Sequence, residues 1–346
     1  MPETLYRGRH ATFIENELLR LTVLHEGGHI AELLDKQTGV NPLWTPPWPS
    51  IEPSTYDLKR HPEYGADSES RLLSGIMGHN LCLDIFGPPS PEEAAAGLTV
   101  HGEASVVPYE VSASAGELIA RARFPESCLR FERTIRLQPG RTTVEITERL
   151  ENETATDRPV AWTQHVTLGP PFLAKGQTQF RASATRCKDM ATGDTFDWPI
   201  APRAGRGSDL RVYTDAESSG GFTTHLMDPH QDTAYFLAWS LQSRLAMGYI
   251  WRRSDFPWLG IWEENYSRKQ PPWNGRTLTR GMEFGASPIP ETRRKMIERG
   301  PLFGTPVFRW IPARGRVEVR YWAALAHADK APETLAWPAV GEVRFE

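Results

Sequence analysis

Apolar residues in this chain return at every second position far more consistently than at every third or fourth, and a period of two admits strands and little else. Leu19, Leu21 and Val23 alternate with Arg20 and Thr22; after Gly27 and Gly28 the pattern resumes at Ile30 and runs to Leu34, meeting a turn over Asp35-Lys36-Gln37-Thr38-Gly39. Leu118, Ala120, Ala122 and Phe124 form another set. Leu129, Phe131, Ile135 and Leu137 follow, with Arg130, Glu132 and Arg136 on the opposite face. The turn Gln138-Pro139-Gly140-Arg141 then leads into Val144, Ile146 and Leu150, which predicts a hairpin. Later strands are predicted over 235–240, 245–251 and 317–323. Only 91–96, where Pro91 opens a Glu-Glu-Ala-Ala-Ala run, predicts a helix. The class is mostly β, with two large antiparallel sheets packed face to face.

A chain of 346 residues can be one such β domain, 1–346, because sandwiches and barrels often exceed the usual domain length. The proline-rich stretch 41–53 and the polar stretch 56–71 read as long surface excursions rather than linkers. With 39 basic and 43 acidic residues, a formal net charge of -4 and no run of either sign, nothing favours nucleic acid or an anionic membrane as a partner. Cys82, Cys128 and Cys187 are odd in number, widely spaced and without a C-x-x-C, so a reduced cytoplasm is expected. The opening Met1-Pro2-Glu3-Thr4-Leu5-Tyr6-Arg7 does not look like a secretory signal, and no apolar run approaches a membrane span. Nucleotide loops and G-x-S-x-G are both missing. His25 and His29 have a spacing that suits a metal on a helix, but Gly27-Gly28 argues against that helix, so no metal or other cofactor is expected. Twelve Trp are unusual. A flat aromatic suits the apolar face of a sugar ring, and it suits a protein core equally well.

Three segments carry chemistry. Trp162-Thr163-Gln164-His165-Val166-Thr167-Leu168 sets a histidine in a strand-like run that Gly169-Pro170-Pro171 ends abruptly. Leu98-Thr99-Val100-His101-Gly102 lies upstream, and Gly281-Met282-Glu283-Phe284-Gly285 downstream. Two imidazoles and a carboxylate are what sugar ring opening needs: a base takes the anomeric hydroxyl proton while an acid delivers one to the ring oxygen. Two of them also have a plainer reading. His165 can be a partly buried histidine bonded to backbone, and Glu283 a solvent-facing strand residue.

These segments, in this order and with Phe86-Gly87-Pro88-Pro89 ahead of His101-Gly102, resemble the aldose 1-epimerase (galactose mutarotase-like) superfamily. The resemblance implies a galactose mutarotase-like β-supersandwich and a cofactor-independent isomerase acting on a small sugar. Within it His165 would be the general acid, Glu283 the base, and His101 a partner of the ring oxygen or a neighbouring hydroxyl. His79, in Gly78-His79-Asn80, falls where relatives place a sugar-contacting loop; Arg71 is a further binding candidate, and Trp262 could stack on the sugar with Glu263 or Asn265 accepting a hydroxyl. Two departures stand out. Val-Thr-Leu-Gly follows His165 in place of the commoner Tyr-Phe-Asn-Leu, and Glu103-Ala104-Ser105 stands where many members carry an arginine after the glycine. A non-catalytic sugar-binding protein on the same scaffold is one rival. A glycoside hydrolase or polysaccharide lyase is another, and a hydrolase would need Glu263 or Glu264 as a second carboxylate.

Overall fold

The computed structural model describes residues 4–202, 207–338 and 341–346, so Met1, Pro2 and Glu3 of the N-terminal stretch read above lie outside the described residues. Two antiparallel sheets dominate. The larger has twelve strands and runs from Thr4–Tyr6 at one edge through Ile30–Asp35, His79–Asp84, Arg158–Leu168, Leu278–Gly285, Trp258–Asn265 and Ser219–Met227 to Thr195–Asp197 at the other. The smaller has eight strands, with Leu245–Arg252, Arg316–His327, Thr143–Asn152 and Leu129–Leu137 at its centre. Every strand predicted from the alternation is present, and Leu137↔Val144 closes the hairpin read at 138–141. A sandwich of two large antiparallel sheets is therefore the fold.

The alternating apolar faces meet between the sheets in one core. Leu81, Leu83, Trp162, Val166, Ile261, Met282 and Phe284 from the large sheet pack against Phe131, Ile135, Ile146, Tyr249 and Tyr321 from the small one. At its centre sits a charged network. Glu148, wholly buried, accepts from Arg133 Nε at 2.8 Å, Tyr321 Oη at 2.8 Å, Trp162 Nε1 at 2.9 Å and Gln164 Nε2 at 2.7 Å. A buried carboxylate with all its partners is tolerable, but a guanidinium stripped of its carboxylate is not. Glu148→Ala is thus expected to cost about 3–5 kcal/mol in denaturant unfolding, whereas a loss under 1 kcal/mol would mean that the network contributes little.

The predicted helix spans Pro91–Ala95, and Ser90 and Glu93 cap it in a reciprocal capping box. Two further helices, Ser70–Gly75 and Arg293–Arg299, carry no helical apolar period to betray them. The stretches read as surface excursions need correction. Trp44, Trp48, Tyr64, Leu72 and Leu73 are buried and form a second apolar cluster with Trp273 and Val106, roofing the outer face of the large sheet. Trp44 stacks on Trp273 at 6.2 Å between ring centroids, and Trp48 meets both edge-on. That roof turns one face of the sheet into an enclosed site.

Candidate active site

Residues directly opposed across an antiparallel pair share a face of the sheet. Asn80 opposes His165 and His165 opposes Glu283, so three neighbouring strands set one transverse row beneath the roof. Gly260 opposes Glu283 on the next strand. His165 and Glu283 floor a cavity of about 140 Å³ walled by Phe86, His101, Phe222, Trp262 and Trp273, with Glu69 and Arg268 also lining it, whereas Asn80 and Gly260 share the face without lining the cavity.

His165 Nε2 lies 3.1 Å from Glu283 Oε1, both side chains being nearly wholly buried. The approach is within ion-pair range but off-line for a hydrogen bond, which leaves Oε1 with unused acceptor capacity. On its other side the His165 ring is held by Thr167, Nδ1 to Oγ1 at 2.9 Å. Glu283 has room only because Gly281 lacks a side chain: a Cβ there would come within 2.4 Å of Oε1. Burial disfavours charge on every member of the group. It pushes the Glu283 carboxyl up to about 8 and drops His165 well below the ordinary imidazole value, with His101 adding repulsion in the second case.

His101 stands 5.2 Å from His165, ring to ring. Its backbone has φ +70°, uncommon for a residue with a side chain and in keeping with a functional position. Gly102 follows at φ +79°, and a Cβ on it would meet the Leu83 carbonyl oxygen at 2.2 Å, so the glycine admits backbone. His101 Nδ1 lies 2.6 Å from the Phe86 carbonyl, which only accepts, and burial lowers the ring to about 4. The tautomer follows: Nδ1 donates and Nε2 carries a lone pair. Nε2 can therefore accept from a sugar hydroxyl. It cannot bond a ring oxygen, which has no hydrogen to give.

The remaining expected contacts divide. Trp262 lines the cavity, its ring 5.9 Å from His165. His79 does not belong to the site. It opposes Val166, faces the inter-sheet core, and has both nitrogens engaged, by Tyr249 Oη at 3.1 Å and Gln164 Oε1 at 2.9 Å. Arg71 is outside the cavity lining, bonding the Pro53 carbonyl at 3.2 Å. Glu263 faces the core, ion-paired to Arg280 at 2.8 Å, while Asn265 Nδ2 bonds the Ala216 carbonyl. Glu264 accepts from the Ser267 and Arg268 backbone. Glu103, where relatives carry an arginine, accepts from Ser127 instead. The cation at this cavity is Arg268, which no motif marks; it packs over Trp273 at 4.6 Å and Trp262 at 5.4 Å and approaches Glu69 at 3.6 Å. A wider groove of about 650 Å³ crosses the small sheet's outer face among Arg121, Arg123, Arg130 and Arg149, but each of these is ion-paired across strands and the groove contains none of the row.

In fold the molecule is similar to galactose mutarotase-like proteins. A solved protein from Klebsiella pneumoniae, provisionally named an aldose 1-epimerase, superposes with TM-score 0.68 at 15% identity, over 93% of this chain and 80% of that one. A galactose mutarotase-like protein from Clostridium acetobutylicum gives 0.62 at 13% identity, over 94% and 98%. A galactose mutarotase related enzyme from Lactobacillus acidophilus gives 0.60 at 11% identity, over 92% and 99%. By sequence, residues 59–267 match the family model described as Domain of unknown function (DUF4432), and the chain belongs to that family. The matched span contains His101 and His165 and ends before Glu283. No curated protein matches the chain. No helix among the described residues is long and apolar enough to cross a membrane.

Proposed function

We propose that the chain is a single-domain, cofactor-independent carbohydrate epimerase that interconverts sugar anomers by opening the ring. The observation that carries the reading is the 3.1 Å His165–Glu283 pair on the floor of an indole-walled cavity. In the forward step the Glu283 carboxylate takes the C1 hydroxyl proton, the C1–ring oxygen bond breaks as a C1 carbonyl forms, and His165 gives its proton to the departing ring oxygen. Rotation about C1–C2 and reversal of the same transfers on the other face yield the other anomer.

One proton suffices for this cycle. A carboxylate beside an imidazolium and a carboxylic acid beside a neutral imidazole hold the same number of protons, and ring opening converts the first state into the second. Burial favours the second state without a ligand. A sugar hydroxyl donating to the spare capacity of Oε1 would favour the first. Gly281→Ala, which crowds that oxygen, is expected to lower kcat roughly tenfold or more with the fold retained. A wild-type kcat would mean that the carboxylate position is not critical.

The hydrolase reading keeps one point in its favour. Glu69 lines the same cavity as Glu283, and burial raises its carboxyl. Exchange NMR over a panel of free and phosphorylated aldoses separates the readings. Accelerated α/β exchange supports the epimerase, saturable binding without exchange supports a binding protein, and release of reducing ends from oligosaccharides supports a hydrolase.

A further inference from the structure

We infer that Thr167 is a positioning residue for the proton transfer: its hydroxyl holds Nδ1 of His165, so that Nε2 is the nitrogen that gives the proton up and takes it back. The inference rests on the epimerase reading above. Thr167 lies two residues beyond His165 on the same strand, its Oγ1 2.9 Å from Nδ1, and the other ring nitrogen is the one 3.1 Å from Glu283 Oε1. Thr167 is 1% exposed and does not line the cavity, so it acts through His165 rather than on the sugar. It belongs to the Val-Thr-Leu-Gly run that departs from the commoner sequence after the histidine.

A hydroxyl suits this duty because it can both accept and donate. When the imidazolium gives its Nε2 proton to the ring oxygen it keeps Nδ1–H, and Thr167 Oγ1 accepts that hydrogen before and after the transfer. If the neutral ring carries its hydrogen on Nε2 instead, the same hydroxyl turns and donates to Nδ1. His101 shows the contrast, since the carbonyl that its Nδ1 faces only accepts and fixes one tautomer. Thr167 also stands directly opposite Gly281, whose missing Cβ makes room for Glu283 Oε1, so one cross-strand pair sets both the acid and the base. Spacing alone does not confer the role. Thr223 Oγ1 likewise meets His225 Nε2 at 2.9 Å, but there the other nitrogen meets Cys187 Sγ and neither residue lines the cavity.

The test compares Thr167→Val, which keeps the shape and removes the hydroxyl, with Thr167→Ser, which keeps the hydroxyl and removes the methyl. Anomerisation of glucose and galactose is followed by exchange NMR, and both variants are melted in parallel. With Nδ1–H buried and unpaired, Thr167→Val should lose about ten- to a hundredfold in kcat while KM changes by less than about threefold. Thr167→Ser should come within about threefold of the wild-type kcat, because the hydroxyl that bonds Nδ1 is still there. Wild-type kcat in Thr167→Val, or a loss in Thr167→Ser as large as in Thr167→Val, would overturn the inference and leave the epimerase reading standing. A fall in kcat accompanied by an equal rise in KM and a marked drop in Tm would show a structural residue and overturn it as well. Should Thr167→Val fail to fold, Thr167→Ala is judged by the same criteria. No acceleration by the wild type would sink the epimerase reading and the role of Thr167 together.

Discussion

Glu283→Gln should lose at least about a hundredfold in the rate of anomerisation and, at neutral pH and above, melt at a higher temperature than the wild type. Both effects come from the same burial. The carboxyl is held up to about 8 in the fold, so between the unfolded value near 4.5 and about 8 the folded state keeps a proton that the unfolded state has released. Fewer protons bound in the unfolded state means that stability falls as pH rises through that window. The cost reaches roughly 3 kcal/mol at pH 7. Glutamine removes the titration, so the Tm difference between variant and wild type should be small below pH 4.5 and grow steadily to pH 8. A difference that does not change with pH would show that Glu283 is not held protonated by its surroundings.

His165→Asn is expected to reduce kcat by at least about two decades, with KM altered far less, because asparagine cannot carry a proton to the ring oxygen. The replacement keeps a polar group of moderate size on the site face and leaves Glu148, Gln164 and the inter-sheet network behind it unchanged. Loss of kcat in a protein with near-normal Tm would therefore report chemistry rather than folding. An unaltered kcat would remove His165 from the mechanism.

Much of this fold was legible because alternation was strict where one face of a strand is buried. The set Leu129, Phe131, Ile135, Leu137 and its return through Val144 and Ile146 allowed only one facing. The helix Arg293–Arg299 was hidden for the converse reason. Met296 is its one buried residue, so it has no apolar stripe to read, and Arg293 anchors it instead through Asp84 and Glu93. The roof was illegible too, since Trp44, Trp48 and Trp273 meet only through long-range packing.

Within the site the instructive miss is a matter of parity. In Gly78-His79-Asn80 the histidine looks like the functional residue, yet a shift of one position along a strand exchanges the two faces. The register sends His79 into the core and its neighbour Asn80 to the outer face, which it shares with His165. No local pattern encodes that choice, because it depends on which residues of Arg158–Leu168 lie opposite. Arg268 was missed similarly, coming from a loop rather than from the position after Gly102 where relatives carry their arginine. By contrast His101, His165 and Glu283 sat in segments whose order and context were distinctive, and the structure brings the three to one cavity.

Anomerisation by this site requires His165 and Glu283 to move one proton through a bound sugar. Two-dimensional exchange NMR on glucose and galactose, comparing catalytic amounts of wild type and Glu283→Gln at pH 7, addresses this directly. The expected result is α/β cross-peaks that build up much faster with wild type and return to the uncatalysed rate with the variant. Equal acceleration by both proteins, or none by either, would contradict it.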